Sequence, residues 1–225
     1  MATIYVIVEG ARTEPILYGK WLPILVPGHR EINRVEDATD DTYFIVAGHG
    51  YPSYMDRIKA AVEDIRHPDN RFTHLIVCVD SEECSVAKRE AELEQVFRAH
   101  DCPIPARTII ADCCIETWLL GHRKIVRRNP ESAELRQLLD LYDIVGRDPE
   151  RMPNLGASTR ARSHLRYLRV VFRERDLSYT KQRPGRPPPL TTSLRCVSAR
   201  TAPPTGAPTS PHSPASSTSP AGSLG

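Results

Sequence analysis

The sequence predicts an α/β fold, in which a mostly parallel sheet is flanked by helices and followed by a helical extension and a disordered tail. Short apolar, β-branched segments alternate with segments of helical periodicity over the first half of the chain. This alternation is typical of a parallel sheet, because each parallel connection must cross one face of the sheet. Further along the chain the helical pattern continues without strands, and large apolar residues then become scarce.

Four strands are expected where a short apolar run is bounded by turn residues. They are Ile4–Val8, Tyr43–Val46, Leu75–Val79 and Arg107–Ala111. The first two end in Glu-Gly and Gly-His-Gly, and the third ends in a run of acids. Ligands of such sheets bind beyond the carboxyl ends of the strands. The residues that follow each strand are therefore the first candidates for a site.

Helices are expected between these strands and after them. Thr13 would cap the first helix, with Pro15 in its first turn. Apolar residues at helical spacing indicate further helices, which are expected at Tyr54 to Arg66, Val86 to His100 and Ile115 to His122. Two more amphipathic segments lie between Glu131 and Tyr179, one around Leu135 and one around Leu168.

Three regions follow from this pattern: a compact α/β domain at residues 1–128, a helical extension at 129–183 and a tail at 184–225 rich in Pro, Ser and Thr. Half of the chain's 20 prolines lie in the tail, which has too few large apolar residues to offset the cost of ordering it. Two origins stay open: a native disordered tail, or translation of a GC-rich gene in a shifted frame. An intact reading frame at the locus would refute the second.

Composition favours a cytoplasmic protein without a membrane partner. No apolar run reaches the roughly 18–20 residues of a membrane helix, and the amino terminus lacks the features of a signal peptide. The 6 cysteines show no spacing that is typical of a zinc site. The adjacent Cys113 and Cys114 leave a redox role open.

The net charge of +2 conceals an uneven distribution of charge. No acid follows Asp176, so the chain before the tail is slightly acidic and any attraction to nucleic acid must come from local basic patches. Such patches could be solvated helix faces or surfaces that follow a phosphate backbone. One comprises Arg123, Lys124, Arg127 and Arg128, and the other comprises Arg160, Arg162, Arg166, Arg169, Arg173 and Arg175.

Acidic residues follow two of the expected strands. Glu9 comes directly after the first strand, and Asp80 and Glu82 come directly after the third. On an extended chain Asp80 and Glu82 would point to the same side. Carboxylates suit hard ions such as Mg²⁺ or Mn²⁺, which neutralise phosphate charge and activate water. The three acids therefore predict a metal site for phosphodiester chemistry.

Each acid also has a structural interpretation. Glu14 lies in the first turn of a helix, where the helix dipole favours a negative charge, and Glu82 precedes another helix. Asp80 could be an ordinary turn residue. Glu116 lies in an apolar segment, where a carboxylate needs either a metal or a partner such as Arg123.

Three segments together resemble the RloB-like proteins of the TOPRIM superfamily, which also includes the OLD-type nucleases. A strand followed by Glu-Gly-x-x-Thr-Glu-Pro-x-x-Tyr, here Glu9 to Tyr18, is similar to the opening motif of that group. The segment from Cys113 to His122 is similar to its Cys-Phe-Glu-x-Trp-Leu-Leu-x-His motif. Asp80-Ser81-Glu82 stands where the superfamily usually has Asp-x-Asp. The resemblance covers roughly residues 3–125.

The resemblance implies a TOPRIM-like domain with a Mg²⁺-dependent (or Mn²⁺-dependent) nuclease activity on DNA or RNA. Glu9 and Asp80 would be catalytic and would bind the metal, Glu82 would bind it too, and Glu14 and Glu116 would be supporting ligands. A role in antiphage defence, with a partner protein from a defence operon, is also implied. The alternative is a non-catalytic nucleic-acid-binding or regulatory component of such a system.

Overall fold

The computed structural model describes residues 2–181, so the predicted tail at 184–225 lies outside the described residues. Five strands form a single parallel sheet: β1 (Thr3–Val8), β2 (Arg30–Ile32), β3 (Thr42–Ala47), β4 (His74–Asp80) and β5 (Ala106–Ala111). Their order across the sheet is β2–β3–β1–β4–β5, and every neighbouring pair is parallel. The predicted α/β class is confirmed.

Six α-helices accompany the sheet in the described part of the chain: α1 (Thr13–Leu25), α2 (Ser53–Arg66), α3 (Val86–Ala99), α4 (Ile115–Leu120), α5 (Ala133–Leu141) and α6 (Arg160–Arg173). Short 3₁₀ turns occupy Val35–Asp37, Arg123–Ile125 and Pro149–Arg151. Between residues 2 and 181, no helix has the length and apolar character needed to cross a membrane.

Two features of the fold differ from the sequence prediction. The edge strand β2 was not predicted, because its first two residues, Arg30 and Glu31, are polar and exposed. The prediction that Thr13 caps α1 is wrong, since the helix already includes Thr13 and the cap position belongs to Arg12, which makes no capping hydrogen bond. The Thr13 hydroxyl instead donates a hydrogen bond to the carbonyl of Lys181.

The sheet is covered on both faces, and side-chain alternation along β1 shows how. Tyr5 and Ile7 contribute to the core formed with α2 and α3. Ile4, Val6 and Val8 contribute to the opposite core, which also contains buried residues of α1, α4, α5 and α6. Residues after 128 therefore share a core with the sheet. The domain boundary predicted at residue 128 stays a prediction.

The chain changes direction between β1 and β4. The helix after β1 lies on one face and leads toward β2, whereas the helix after β4 lies on the other face and leads toward β5. Adjacent strands whose connections diverge in this way leave a crevice at their carboxyl ends. Glu9 and Asp80 lie at this crevice.

We predict that Leu168→Ala lowers the free energy of unfolding by about 2–5 kcal/mol, because it leaves a cavity in the core that α6 shares with the sheet. Leu168 is fully buried, whereas Leu141 of α5 is 62% exposed. Leu141→Ala is therefore the matched control, with an expected change within about 0.5 kcal/mol. Urea unfolding followed by circular dichroism measures both, and equal losses would contradict the shared core.

Candidate functional site

Glu9 is fixed at the end of β1 by its backbone and by its side chain. Its N–H donates to the carbonyl of Cys78 at 2.9 Å, which extends the β1–β4 ladder by one residue. Its carbonyl accepts a hydrogen bond from the N–H of Gly50 at 2.8 Å. Its carboxylate Oε2 accepts a hydrogen bond from the N–H of Asp80 at 2.7 Å. The two acids predicted to be catalytic are therefore joined directly.

The carboxyl group of Asp80, the last residue of β4, lies among other acids. Burial raises its pKa well above the usual range, and the charges of Glu9, Glu14 and Glu116 raise it further, against a hydrogen bond from the N–H of Ile115. Burial also raises the pKa of Glu9, although the Asp80 N–H opposes this. Acids that repel one another in a half-buried space are relieved by a bound cation.

Glu14 lies in the first turn of α1, as predicted, and also faces the other acids. Its carboxylate folds back over Gly10, where an added Cβ would lie 2.0 Å from its Oε2. Burial and the charge of Glu116 raise the pKa of Glu14, whereas Lys181 lowers it. Glu14 therefore lies both in the first turn of a helix and among the other acids, a position compatible with either interpretation.

Glu116 is held inside the protein at only 1% exposure. The sequence suggested Arg123 as the partner of Glu116. In the structure, Oε1 of Glu116 instead accepts a hydrogen bond from the hydroxyl of Tyr179 at 3.0 Å. This contact brings the end of the described chain over the acids. Tyr179 could not be assigned to the site from sequence, because it lies 63 residues from Glu116.

Glu82 is placed differently from the prediction. The chain turns after β4, with Glu82 exposed at a φ of 53°, and its N–H donates to the carbonyl of Cys113 at 2.9 Å. The chain is therefore not extended at Glu82, although an extended chain was the basis for expecting Asp80 and Glu82 on one side. The charge of Glu82 still raises the pKa of Glu9, so Glu82 lies at the rim of the same site.

A group of potential metal ligands on separate elements could not be found from the sequence. Within residues 2–181, the one group of three potential ligand residues whose donor atoms all lie within 4.8 Å of one another is Cys113, Cys114 and His164. The carboxylates form no such tight trio in this part of the chain. Mg²⁺ is usually held by one or two carboxylates with water and substrate completing the shell, so a wider arrangement of acids fits this ion.

Two basic residues near the acids were also missed. Arg89 of α3 is buried, bonds Tyr54 and Glu92, and lowers the pKa of Glu9 through its charge. Its Nε has no hydrogen-bond partner within the described residues. Lys181 lies near Glu116 and Asp80. Burial lowers the pKa of Lys181, but the charges of these two acids raise it by more, so the pKa is raised overall. Arg89 could not be recognised from the sequence, because an arginine three residues before a glutamate in a charged helix is typical of an exposed helix surface.

The two predicted basic patches are partly structural. Arg127 pairs with Glu131, and Arg166 and Arg173 both pair with Glu134. The side chain of Arg160 bonds the carboxylate of Asp112 at 2.7 Å, and that of Arg175 donates to the carbonyl of Ile125 at 2.9 Å. These contacts support the helix-face interpretation for most of the arginines, whereas Arg162 and Arg169 lie on the surface of α6.

Comparison with known protein families, curated proteins and solved structures found no match to this chain. The site is therefore characterised by its own chemistry: carboxylates converging at the ends of two neighbouring parallel strands, with a buried arginine close by. Such a donor set suits a hard divalent cation.

We predict that Asp80→Asn stabilises the metal-free protein above the ordinary carboxyl pKa of about 3.9. Because the pKa of Asp80 is raised on folding, the folded state binds more protons than the unfolded state, and stability is lost as pH rises from that value through the raised one. Asparagine does not ionise and keeps the acceptor oxygen. Its advantage should therefore grow with pH and vanish in acid.

Urea unfolding in chelator, measured over a pH series, tests this expectation. Asp69→Asn is the matched control, because Asp69 is exposed and lies before the amino end of β4, away from the site. A wild type as stable as Asp80→Asn at every pH would contradict the raised pKa.

Proposed function

We propose that this protein is a metal-dependent nuclease of TOPRIM type, similar to RloB-like proteins, which hydrolyses phosphodiester bonds of DNA or RNA with Mg²⁺ or Mn²⁺. The observation that carries the proposal is the Glu9–Asp80 pair at adjoining strand ends, with Glu14 and Glu116 close enough to raise the pKa of Asp80. A cytoplasmic location and a role in antiphage defence beside a partner protein belong to the same proposal.

The acidic residues around the crevice would have different roles in binding the metal. When bound, the metal neutralises phosphate charge and lowers the pKa of water. Glu9 and Asp80 would hold it, because the hydrogen bond between them fixes the Glu9 carboxylate against β4. Glu14 and Glu116 would act as supporting ligands. Glu82, which is exposed and whose charge raises the pKa of Glu9, would bind the metal as well.

Binding of nucleic acid would depend on local basic groups. The body of the protein is not strongly basic, so attraction must come from particular side chains. Arg89 lies near Glu9 but is buried and bonded to Tyr54 and Glu92, so its charge acts on the acids rather than on a bound strand. Arg162 and Arg169 lie exposed on α6 and could extend the path of a bound strand.

We predict that the purified full chain cleaves at least one substrate among single- and double-stranded DNA and RNA when Mg²⁺ or Mn²⁺ is present, and none in chelator. Glu9→Gln and Asp80→Asn should each lower the rate by about 100-fold or more, since metal catalysis supplies several kcal/mol of transition-state stabilisation. Gel assays of end-labelled substrates measure the rates.

Asp69→Asn serves again as the control and should cleave like the wild type. Loss of cleavage only in the Glu9 and Asp80 variants, with unchanged circular dichroism spectra, would support the nuclease. A wild type without metal-dependent cleavage on any of the four substrates would refute it.

The second candidate is a non-catalytic nucleic-acid-binding or regulatory component of a defence system. One observation favours it: Lys181 already supplies a positive charge near the acids. Such a protein would bind nucleic acid with the same affinity after Glu9 and Asp80 are neutralised. Binding curves with and without Mg²⁺, recorded beside the cleavage assay, separate the two candidates.

We predict that Lys181→Met tightens binding of Mg²⁺ about two- to fivefold, because the ammonium group competes electrostatically with a cation at the acids. Calorimetric titration of the full chain with Mg²⁺ measures the change. Lys59→Met, on the exposed surface of α2, is the control and should leave the affinity unchanged. Weaker binding in Lys181→Met would show that Lys181 instead supports the metal-binding conformation.

A further inference from the structure

A compact group of soft ligand atoms lies beside the carboxylates but differs from them in chemistry. The two thiols of Cys113 and Cys114 and a ring nitrogen of His164 all lie within 4.8 Å of one another. All three residues are buried, with exposures of 0%, 2% and 0%. Nothing in the proposed nuclease chemistry uses them.

The backbone at Cys113 has an unusual conformation that matters for this group. Its φ of 80° lies in the left-handed region, which residues with a side chain rarely adopt. In an extended chain, successive side chains point to opposite sides. Here the left-handed conformation at Cys113 replaces the extended one, and the thiols of Cys113 and Cys114 lie close together. Strained backbone of this kind is concentrated at functional sites.

Contacts on several elements hold the group in place. The N–H of Cys113 donates to the hydroxyl of Ser81 at 2.8 Å, and its carbonyl accepts from the N–H of Glu82 at 2.9 Å. On α6, His164 Nδ1 lies 2.8 Å from the carbonyl of Arg160, and Nε2 lies 3.2 Å from the carbonyl of Pro149. A backbone hydrogen bond at Nδ1 is the usual way to orient a histidine that binds a metal through Nε2, and such a metal would replace the contact of Nε2 with the Pro149 carbonyl.

We propose that Cys113, Cys114 and His164 form a binding site for a thiophilic divalent metal, with Zn²⁺ as the natural ion, separate from the carboxylate site. Two thiolates and one imidazole are a common partial ligand set of tetrahedral zinc, and a water or a nearby oxygen completes the fourth position. Soft sulfur donors select zinc over magnesium, whereas the carboxylates have the opposite preference.

Binding requires deprotonated ligands, and the environment favours this at Cys113. Hydrogen bonds from Cys114 and then from His164 lower the pKa of the Cys113 thiol, although burial opposes them. Burial lowers the pKa of His164, but its hydrogen bonds with Cys113 and with the carbonyl of Arg160 raise the pKa overall. A metal would displace the remaining protons of Cys114 and of His164.

The consequence of binding would be structural. Cys113 and Cys114 lie between β5 and α4, and His164 lies on α6. A metal would therefore join the helical extension to the segment that carries Glu116 and contacts Glu82. It would fix two of the predicted carboxylate ligands without touching them.

Titration of the chelator-treated, reduced full chain with Co²⁺ tests the proposal, because cobalt–thiolate bonds give a charge-transfer band in the near ultraviolet that carboxylates do not give. We expect one equivalent to produce this band and Zn²⁺ to abolish it. Cys113→Ser, Cys114→Ser and His164→Asn should each weaken Co²⁺ binding at least about tenfold, as expected for the loss of a ligand.

Two controls keep the result clear even if a cluster variant fails to fold. The variant Cys84→Ser/Cys102→Ser/Cys196→Ser leaves the cluster intact and should keep the band, and Asp80→Asn should keep it as well. Zn²⁺ should also raise the urea midpoint of the triple variant. The proposal is overturned if the wild type gives no thiolate band, or if the triple variant loses the band.

Discussion

The hydrogen bond from the N–H of Asp80 to the carboxylate of Glu9 is the interaction on which the carboxylate site depends. The parallel ladder between β1 and β4 places both residues at one edge of the sheet. The side-chain bond then fixes one acid relative to the other. Glu14 and Glu116 reach this pair from α1 and α4, which pack against the same face of the sheet. The site is therefore built on the register of two strands.

The same arrangement has an energetic cost, because several carboxylates share a half-buried space. The protein offsets it with separate groups: the N–H of Ile115 for Asp80, the hydroxyl of Tyr179 for Glu116, and the charges of Arg89 and Lys181. These groups come from α3, from α4 and from the segment after α6, so the acids depend on parts of the chain that are far apart in sequence. Carboxyl groups with strongly raised pKa values in a crevice are candidates for a functional site.

Sequence reasoning succeeded where the signal was local. Strands β1 and β4 are apolar, β-branched runs, so their ends, and with them Glu9 and Asp80, could be placed. It failed where a single dihedral or a distant contact decides the outcome. The positive φ at Glu82 ends the extended conformation that was expected after Asp80. Tyr179 and His164 reach their partners only through the packing of the helical extension, which no spacing in the sequence encodes.

The two candidate metal sites share one connecting segment, and their chemistry explains why both can exist there. Cys113 and Cys114 end the connection after β5, and Glu116 is the second residue of α4, which begins at Ile115. Sulfur and imidazole favour zinc, whereas clustered carboxylates favour magnesium. Zinc would therefore bind at the thiols and magnesium at the carboxylates. The carbonyl of Cys113 is also bonded to the N–H of Glu82. An ion held by the thiols would thus restrain the backbone on both sides of the crevice, and the soft site would set the geometry of the hard one.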